Sequence, residues 1–150
     1  MTPKMHRAWC DLARMKGVAG WIVGRAGTSD VTTNDRAAHA DGVQFTLPVP
    51  LMYRHELAIG RVTRAMLVGD ALDIEAEIAS PDETRDPALA KRLRHVWSQI
   101  RAGKLTGLSW STRAIDKIDN ESWSSTLVEV SVTDCPANPR ACITDILVRD

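Results

Sequence analysis

Three residues of this chain have the side chains that a serine hydrolase uses: Ser109, His55 and Glu129. A serine hydroxyl becomes a nucleophile when a nearby base takes its proton and a third group orients that base. Ser109 follows Gly107 by two residues in the run LTGLSWST, and His55 ends the proline-containing run LPVPLMYRH. Glu129 is the only carboxylate within the valine-rich run LVEVSVT. The chemistry that this combination indicates is acyl transfer through Ser109, with His55 as the base.

The spacing of these residues matches no standard hydrolase template. The run GLSWS has Ser111 where the nucleophile elbow G-x-S-x-G has its second glycine, and the elbow needs a strand before it and a helix after it. Here a helix and a glycine turn precede the strand that carries the serines. The chain order His, Ser, Glu also differs from the orders used by unrelated Ser-His-Asp enzymes. From the residues alone two alternatives remain: a catalytic triad, or three unrelated polar side chains on solvated strand faces.

The composition excludes several classes of partner. Lys+Arg and Asp+Glu both number 19, so the formal net charge is zero and the basic excess of a general nucleic-acid binder is missing. No run approaches about 18 consecutive apolar residues, which argues against a membrane span. The three cysteines, Cys10, Cys135 and Cys142, show no C-x-x-C spacing, and no two histidines have the spacing of metal ligands. We therefore expect a cytoplasmic protein without a metal or cofactor, acting neither on nucleic acid nor in a membrane.

The length of 150 residues suits one domain over 1–150, in which 1–16 is a short helix or a loose arm. Alternation and turn residues predict strands along most of the chain, with the clearest hairpin turning at Gly69-Asp70. The elements predicted, in chain order, are a strand at 17–27, a loop at 28–42, an extended run at 43–53, the hairpin at 59–78, strands at 108–114 and 127–133, a turn at 134–141 and a strand at 142–148.

One long helix is predicted over about 86–102. Asp86 can cap its N-terminus, Pro87 fits the first turn and Gly103 fits the C-terminal stop. One face of this helix is an apolar stripe, formed by Leu89, Leu93, Val96, Trp97 and Ile100. The opposite face is basic, and is either solvated or a dock for an acidic partner. Its residues are Lys91, Arg92, Arg94 and Arg101. A single helix between two groups of strands indicates the α+β class, with a barrel or a strongly curved sheet.

Three blocks of the chain resemble the prohead maturation proteases of tailed bacteriophages. These serine peptidases are typified by phage HK97 and are similar in fold to herpesvirus assemblin. The first block is PLMYRHELAIGRV (50–62), where the family has its catalytic His shortly before an Ile-Gly pair. The second is GLSWSTRA (107–114), where the family's L-S-[apolar]-G-F holds the nucleophile. The third and most specific is LVEVSVTDCPANPRACI (127–143), close to the family's L-x-E-V-S-x-V-x-x-P-A-N-P-x-A.

The resemblance implies a fold and a site. The fold would be α+β: a herpesvirus-protease-like, closed or curved antiparallel β-barrel with the long helix at about 86–102 and short flanking helices. His55 would be the base, Ser109 the nucleophile and Glu129 the third member, at a place where the herpesvirus relatives have a second His. Backbone N–H groups of the 134–140 turn would stabilise the oxyanion, by analogy with the same relatives.

The activity that the resemblance implies is peptide hydrolysis through an acyl-enzyme during maturation of a phage head. The implied substrates are the phage major capsid protein, the scaffolding protein and the protease itself, which would also form a homodimer. The implied location is the prohead, inside the host cytoplasm. No cofactor is implied.

The chain departs from the family pattern at one place, where Ser111-Thr112 replaces the family's Gly-Phe. Glycine permits a close backbone approach that serine does not, so the oxyanion geometry or the substrate cleft can differ here. The alternative function is therefore a catalytically silent, protease-like domain that serves as a capsid-assembly or scaffolding component. A small esterase is a lesser alternative.

Overall fold

Strands make up most of the described chain. The computed structural model describes residues 17–28, 43–117 and 123–149, so the expected arm at 1–16 and nearly all of the expected loop at 28–42 lie outside the described residues. The strands are β1 (Val18–Thr28), β2 (Val43–Gln44), β3 (Val49–Tyr53), β4 (Leu57–Val68), β5 (Ala71–Ala79), β6 (Gly107–Lys117), β7 (Trp123–Thr133) and β8 (Cys142–Val148). The helical segments within these ranges are α1 (Pro87–Arg101) and the 3-10 turn Pro81–Glu83. The described part of the protein is thus mostly sheet with one α-helix, and its only flanking helical piece is that short turn.

All eight strands belong to one mixed sheet. Their order is β2-β7-β3-β4-β5-β1-β8-β6, and β6 also pairs with β7, so the pairing returns from the last strand to the second. β7 pairs in parallel with both β2 and β3, whereas its pairing with β6 is antiparallel. The expected sheet was antiparallel throughout, and these two ladders correct that expectation. A parallel pair cannot be joined by a tight turn, and β3 and β7 are separated by the hairpin, the helix and β6.

The predicted hairpin is confirmed as β4 and β5. It turns at Gly69, whose φ of +62° lies in the left-handed region that glycine tolerates best. The apolar residues of β5 that face the core are Leu72, Ile74, Ala76 and Ile78. The acidic residues between them lie on the opposite face of β5, and each forms an ion pair with an arginine of a neighbouring strand. The pairs are Asp73 with Arg25, Glu75 with Arg64 and Glu77 with Arg61.

Helix α1 begins and ends close to the predicted residues. The Asp86 carboxylate accepts the backbone N–H groups of Ala88 and Leu89 at 3.0 and 3.3 Å, which caps the first turn. Its buried residues are Ala90, Leu93, Val96, Trp97 and Ile100. On the basic face, Arg94 pairs with Asp82 at 2.9 Å. No helix of the described residues is long and apolar enough to cross a membrane.

The turn after α1 delivers the chain to β6, the strand with the two candidate serines. Gly103 adopts a φ of +72° just beyond the helix, as a C-terminal stop requires. The Leu108 N–H then donates to the Ala141 carbonyl at 3.1 Å, which ties the start of β6 to the segment before β8. Because Leu108 is fully buried in the core, the next residue, Ser109, points to the opposite face of the strand.

Gly60 of β4 has no room for a side chain, and this generates a prediction about stability. A Cβ added at Gly60 would lie 1.8 Å from the carbonyl oxygen of Glu77 on the paired strand β5. The two strands would have to separate, so we expect Gly60→Ala to lower the free energy of unfolding by about 1–3 kcal/mol. Denaturant unfolding measures this change. Met66→Ala, at an exposed site of the same strand, is the control and should stay within about 0.5 kcal/mol of wild type. Equal midpoints for the two variants would contradict the prediction.

Candidate active site

Glu129 is a carboxylate with no exposed surface. It lies on β7, directly opposite Ser111 of β6 in the strand register. The fully buried Val130 and Val132 point to the other side of β7, into the hydrophobic core. The sequence left open whether Glu129 lies on a solvated strand face, and its complete burial shows that it does not. A buried carboxylate needs hydrogen-bond donors, because an unpaired charge away from water is strongly destabilising.

His55 lies in the turn that joins β3 to β4. Arg54 and His55 both have positive φ, +50° and +60°, a conformation that costs a non-glycine residue about 1–3 kcal/mol and is found preferentially at functional sites. The strand β7 holds this turn in place. The Arg54 N–H donates to the Val132 carbonyl at 3.1 Å, and the His55 N–H donates to the buried Ser131 hydroxyl at 2.8 Å. The strained turn is thus fixed by the same strand that carries Glu129.

The ring of His55 contacts the carboxylate of Glu129. Ring Nδ1 donates to Glu129 Oε1, while 44% of the histidine side chain remains exposed. The hydrogen bond to Glu129 raises the pKa of His55 above its ordinary 6.5; burial acts in the opposite direction, and the charge of the carboxylate adds to the rise. The same bond assigns the tautomer of the neutral ring: Nδ1 carries the proton and Nε2 is the basic nitrogen.

Ser111 belongs to the same cluster. Its hydroxyl donates to Glu129 Oε1 at 2.6 Å and lies 3.4 Å from Nδ1 of His55. The other carboxylate oxygen, Oε2, is buried without a hydrogen-bond partner among the described residues. From the sequence, Ser111 was noted as the residue that breaks the nucleophile elbow and as a departure from a family pattern, and its contact with Glu129 was not predicted. The alternation in GLSWS, which puts Ser109 and Ser111 on one strand face, was the signal that could have found it.

Ser109 lies on the same face as this cluster but outside its hydrogen bonds. It is half-buried and pairs across the β6–β7 ladder with Ser131, whose hydroxyl holds the His55 backbone. Within the described ranges, no hydrogen bond joins the Ser109 hydroxyl to His55 or Glu129. The structure therefore brings His55 and Glu129 into contact and places Ser109 two residues along β6 from Ser111.

Further contacts brace the two turns around the cluster. In the turn after β3, Arg54 pairs with Asp134 at 2.9 Å and lies 5.0 Å from the centre of the Tyr53 ring. In the turn after β7, the buried Asn138 amide donates to the Thr28 hydroxyl at 2.7 Å. The first pair ties the two turns to each other, and the second contact ties the turn after β7 to the end of β1. In the part of the chain that the structure describes, no group of three or more His, Cys, Asp or Glu side chains could hold a metal ion.

This arrangement is suited to general base catalysis. Nε2 of a half-exposed imidazole is available to take a proton, and a buried carboxylate at Nδ1 stabilises the imidazolium that results. A nucleophile must meet the ring at Nε2, whereas Ser111 contacts the Nδ1 side. Ser109, the next serine on the same face, is therefore the better candidate for the nucleophile.

Comparisons with known proteins find a phage relative by sequence and a protease by structure. The chain is 28% identical over 134 residues to the capsid polyprotein of Pseudomonas phage PAJU2, a match that covers 83% of the chain and 20% of that protein. The chain thus spans about a fifth of the length of this relative. It is also similar to the KSHV protease in complex with a hexapeptide phosphonate inhibitor, with a TM-score of 0.49 and 19% identity, over 87% of this chain and 66% of that one. No family model matches the chain.

The His55–Glu129 contact predicts how the histidine titrates. The His55 ring should titrate above pH 6.5 in the folded protein, because the bond to Glu129 favours the imidazolium. The stabilisation that this pair contributes is then complete below pH 6.5 and is lost as the pH rises through the folded-state pKa of His55. We expect Glu129→Gln to move the midpoint to 6.5 or lower, since the influence that remains is burial, which lowers the pKa. NMR titration of the ring protons measures both midpoints.

A distant carboxylate provides the control for this titration. Asp145 is exposed on β8, and Asp145→Asn should leave the His55 midpoint unchanged. If Glu129→Gln titrates at the wild-type midpoint, the carboxylate does not set the pKa of His55.

Proposed function

We propose that this chain is a serine endopeptidase that cleaves proteins of a phage head during maturation, and that it is a member of the HK97-type prohead protease family. The observation that carries the proposal is the fully buried Glu129 carboxylate bound to Nδ1 of a half-exposed His55. A buried charge is weak evidence of a stabilising role, because an apolar residue of similar volume often stabilises as much or more. An imidazole that must be held in one tautomer and orientation gives this carboxylate a reason to be there.

The proposed reaction begins at Ser109. His55 Nε2 takes the hydroxyl proton while Ser109 Oγ attacks the carbonyl carbon of the scissile peptide bond. Glu129 keeps the Nδ1 proton in place and stabilises the imidazolium. The imidazolium then gives its proton to the leaving amine, and an acyl-enzyme remains on Ser109. Water that loses a proton to His55 hydrolyses this ester and restores the free serine.

The oxyanion of this reaction would be stabilised by backbone N–H groups of the 134–140 turn. Two N–H groups of the turn are already engaged, since those of Cys135 and Arg140 donate to Thr133 Oγ1 and Asn138 Oδ1. Pro136 and Pro139 have no N–H. The donors would therefore come from Asp134, Ala137 or Asn138.

The phage relative supports the proposed setting. This relative is a capsid polyprotein, and its similarity extends over most of this chain. The proposed substrates are the major capsid protein, the scaffolding protein and the protease itself. The proposed place of action is the prohead inside the host cytoplasm, with a homodimer as the active form. The pairing of β6 with β7 supports a closed, herpesvirus-protease-like barrel as the fold.

Co-expression tests the proposed substrates. The chain is produced together with the capsid protein of the same phage, and the intact mass of both proteins is measured. Defined losses of mass that depend on Ser109 support the proposal, and unchanged masses contradict it.

A catalytically silent domain with an assembly role is the second candidate, and one observation favours it. The Ser109 hydroxyl makes no hydrogen bond to His55 within the described residues. Catalytic hydrogen bonds are often long or poorly aligned until substrate is bound, so this geometry does not decide between the two. A fluorophosphonate probe does, because it reacts with an activated serine.

Ser109→Ala should abolish both probe labelling and cleavage while the protein stays folded. The Ser109 hydroxyl makes no hydrogen bond among the described residues, so we expect its loss to change stability by no more than about 0.5 kcal/mol. Thr112→Ala, at an exposed position of the same strand, should label and cleave like wild type. Labelling that survives in Ser109→Ala but disappears in Ser111→Ala would move the nucleophile to Ser111. A wild-type protein that is folded and never labelled would support the silent alternative.

Glu129→Gln should slow cleavage by about 10- to 1000-fold, because the amide cannot hold the ring tautomer that leaves Nε2 basic. The cleavage rate is compared with that of wild type, and circular dichroism confirms that the variant is folded. A folded variant within twofold of the wild-type rate would leave Ser109 and His55 as a dyad.

A further inference from the structure

Two donors converge on one oxygen of Glu129. The Ser111 hydroxyl and Nδ1 of His55 both donate to Oε1. Oε2 is buried and has no hydrogen-bond partner in the described part of the chain. All the hydrogen bonding that orients this carboxylate therefore passes through a single atom, and Ser111 provides one of the two bonds.

Each of these two donors is held by a different element. Ser111 is fixed by the β6–β7 ladder, in which it lies directly opposite Glu129. His55 is carried by the strained turn after β3, and its ring remains half-exposed. If Ser111 lacked its hydroxyl, the carboxylate would be anchored only to that exposed ring. The group could then rotate about its terminal bond, a torsion with a broad energy minimum, and either oxygen could take the place of the other.

The place of the Ser111 hydroxyl also excludes a direct chemical role in the proposed mechanism. Its oxygen lies 3.4 Å from Nδ1, the nitrogen that already donates to Glu129. The proton of a nucleophile has to reach Nε2 instead.

We propose that Ser111 is a positioning residue, which acts through Glu129 to hold the carboxylate in the orientation that receives the His55 ring. This inference rests on the proposed peptidase function for its effect on rate, but its effect on the His55 ring is independent of that function. Ser111 touches neither the substrate nor the nucleophile in this role. The position read from the sequence as a departure from the family thus contributes to the alignment of the base.

The first test compares Ser111→Ala with Ser111→Thr, which keeps a hydroxyl on Cβ, and with Thr112→Ala as the matched control. In Ser111→Ala, kcat should fall about tenfold, the loss expected for one hydrogen bond to a charged group, with KM unchanged. The His55 midpoint, followed by NMR, should move down toward 6.5, and the acid limb of the kcat profile should move with it. Ser111→Thr should restore both quantities, and Thr112→Ala should alter neither.

The charged residues of the neighbouring turns are the same in these variants. They are Arg54 and Glu56 in the turn of His55, together with Asp134 beyond β7. A shift of the His55 midpoint between wild type and Ser111→Ala therefore reports on the contact with Glu129.

The second test asks whether Ser111 acts through Glu129. In a Glu129→Gln background, adding Ser111→Ala should leave both the rate and the His55 midpoint where Glu129→Gln alone puts them. Full effects in both backgrounds would overturn the proposal, as would a Ser111→Ala protein with the wild-type kcat and midpoint. Loss of fluorophosphonate labelling in Ser111→Ala would overturn it too, by making Ser111 the nucleophile.

The two proposals fail in different ways. If the wild-type protein shows no peptidase activity but Ser111→Ala still moves the His55 midpoint, the proposed function fails and the role of Ser111 stands. If the protein cleaves and Ser111→Ala changes neither quantity, the function stands and the role of Ser111 fails.

Discussion

The contact between His55 and the buried Glu129 sets the constraints that the rest of the site has to satisfy. A carboxylate without exposed surface must receive hydrogen bonds from groups that other elements bring to it. One donor is the His55 ring and the other is the Ser111 hydroxyl. The strand that holds Glu129 must therefore have the histidine on one side and the serines on the other. β7 meets this condition, because it pairs with β3 along one edge and with β6 along the other.

The parallel pairing of β3 with β7 explains how residues far apart in the chain meet. The ladder pairs Tyr53, the last residue of β3, with Val132, so the turn that follows β3 passes directly over β7. The backbone of this turn is then held by Val132 and Ser131 at two successive residues. Left-handed conformations persist only where the surroundings determine them strongly. The two faces of β7 therefore have different roles. The valines on one face fill the core, while Glu129 and Ser131 on the other face hold the ring and the backbone of His55, respectively.

Local features of the sequence predicted much of the fold. Asp86, Gly103 and the apolar stripe between them define helix α1, and Gly69 with the alternation around it defines the β4–β5 hairpin, because these signals act within a few residues.

The parallel ladders were not predicted, since the pairing of distant strands depends on packing that no local pattern encodes. The same holds for the burial of Glu129: alternation along β7 predicts that it shares a face with Ser131, but not that the His55 ring and the Ser111 hydroxyl meet it on that face. Strict alternation along β7 would place Leu127 on the face of Glu129, yet Leu127 packs with Val130 in the core. The β6–β7 ladder shifts register between Ser111 and Thr112, where a bulge on β7 adds a residue and reverses the alternation.

Ser111 shows why a departure from a family pattern has to be interpreted in three dimensions. From the sequence, a serine in place of glycine signifies only lost backbone freedom and a tighter approach. In the structure, Ser111 is not among the left-handed residues, so its position does not require glycine for conformational reasons.

What the side chain of Ser111 adds is a hydrogen-bond donor at 2.6 Å from an oxygen of Glu129, a carboxylate that lies out of reach of water. Hydrogen bonds to buried charged groups are among the stronger ones in proteins. A serine at this position therefore compensates part of the free energy that burying Glu129 requires, and it does so from the strand that also presents Ser109. The nucleophile candidate and the support of the acid are consequently coupled through β6, so a displacement of that strand would alter both together.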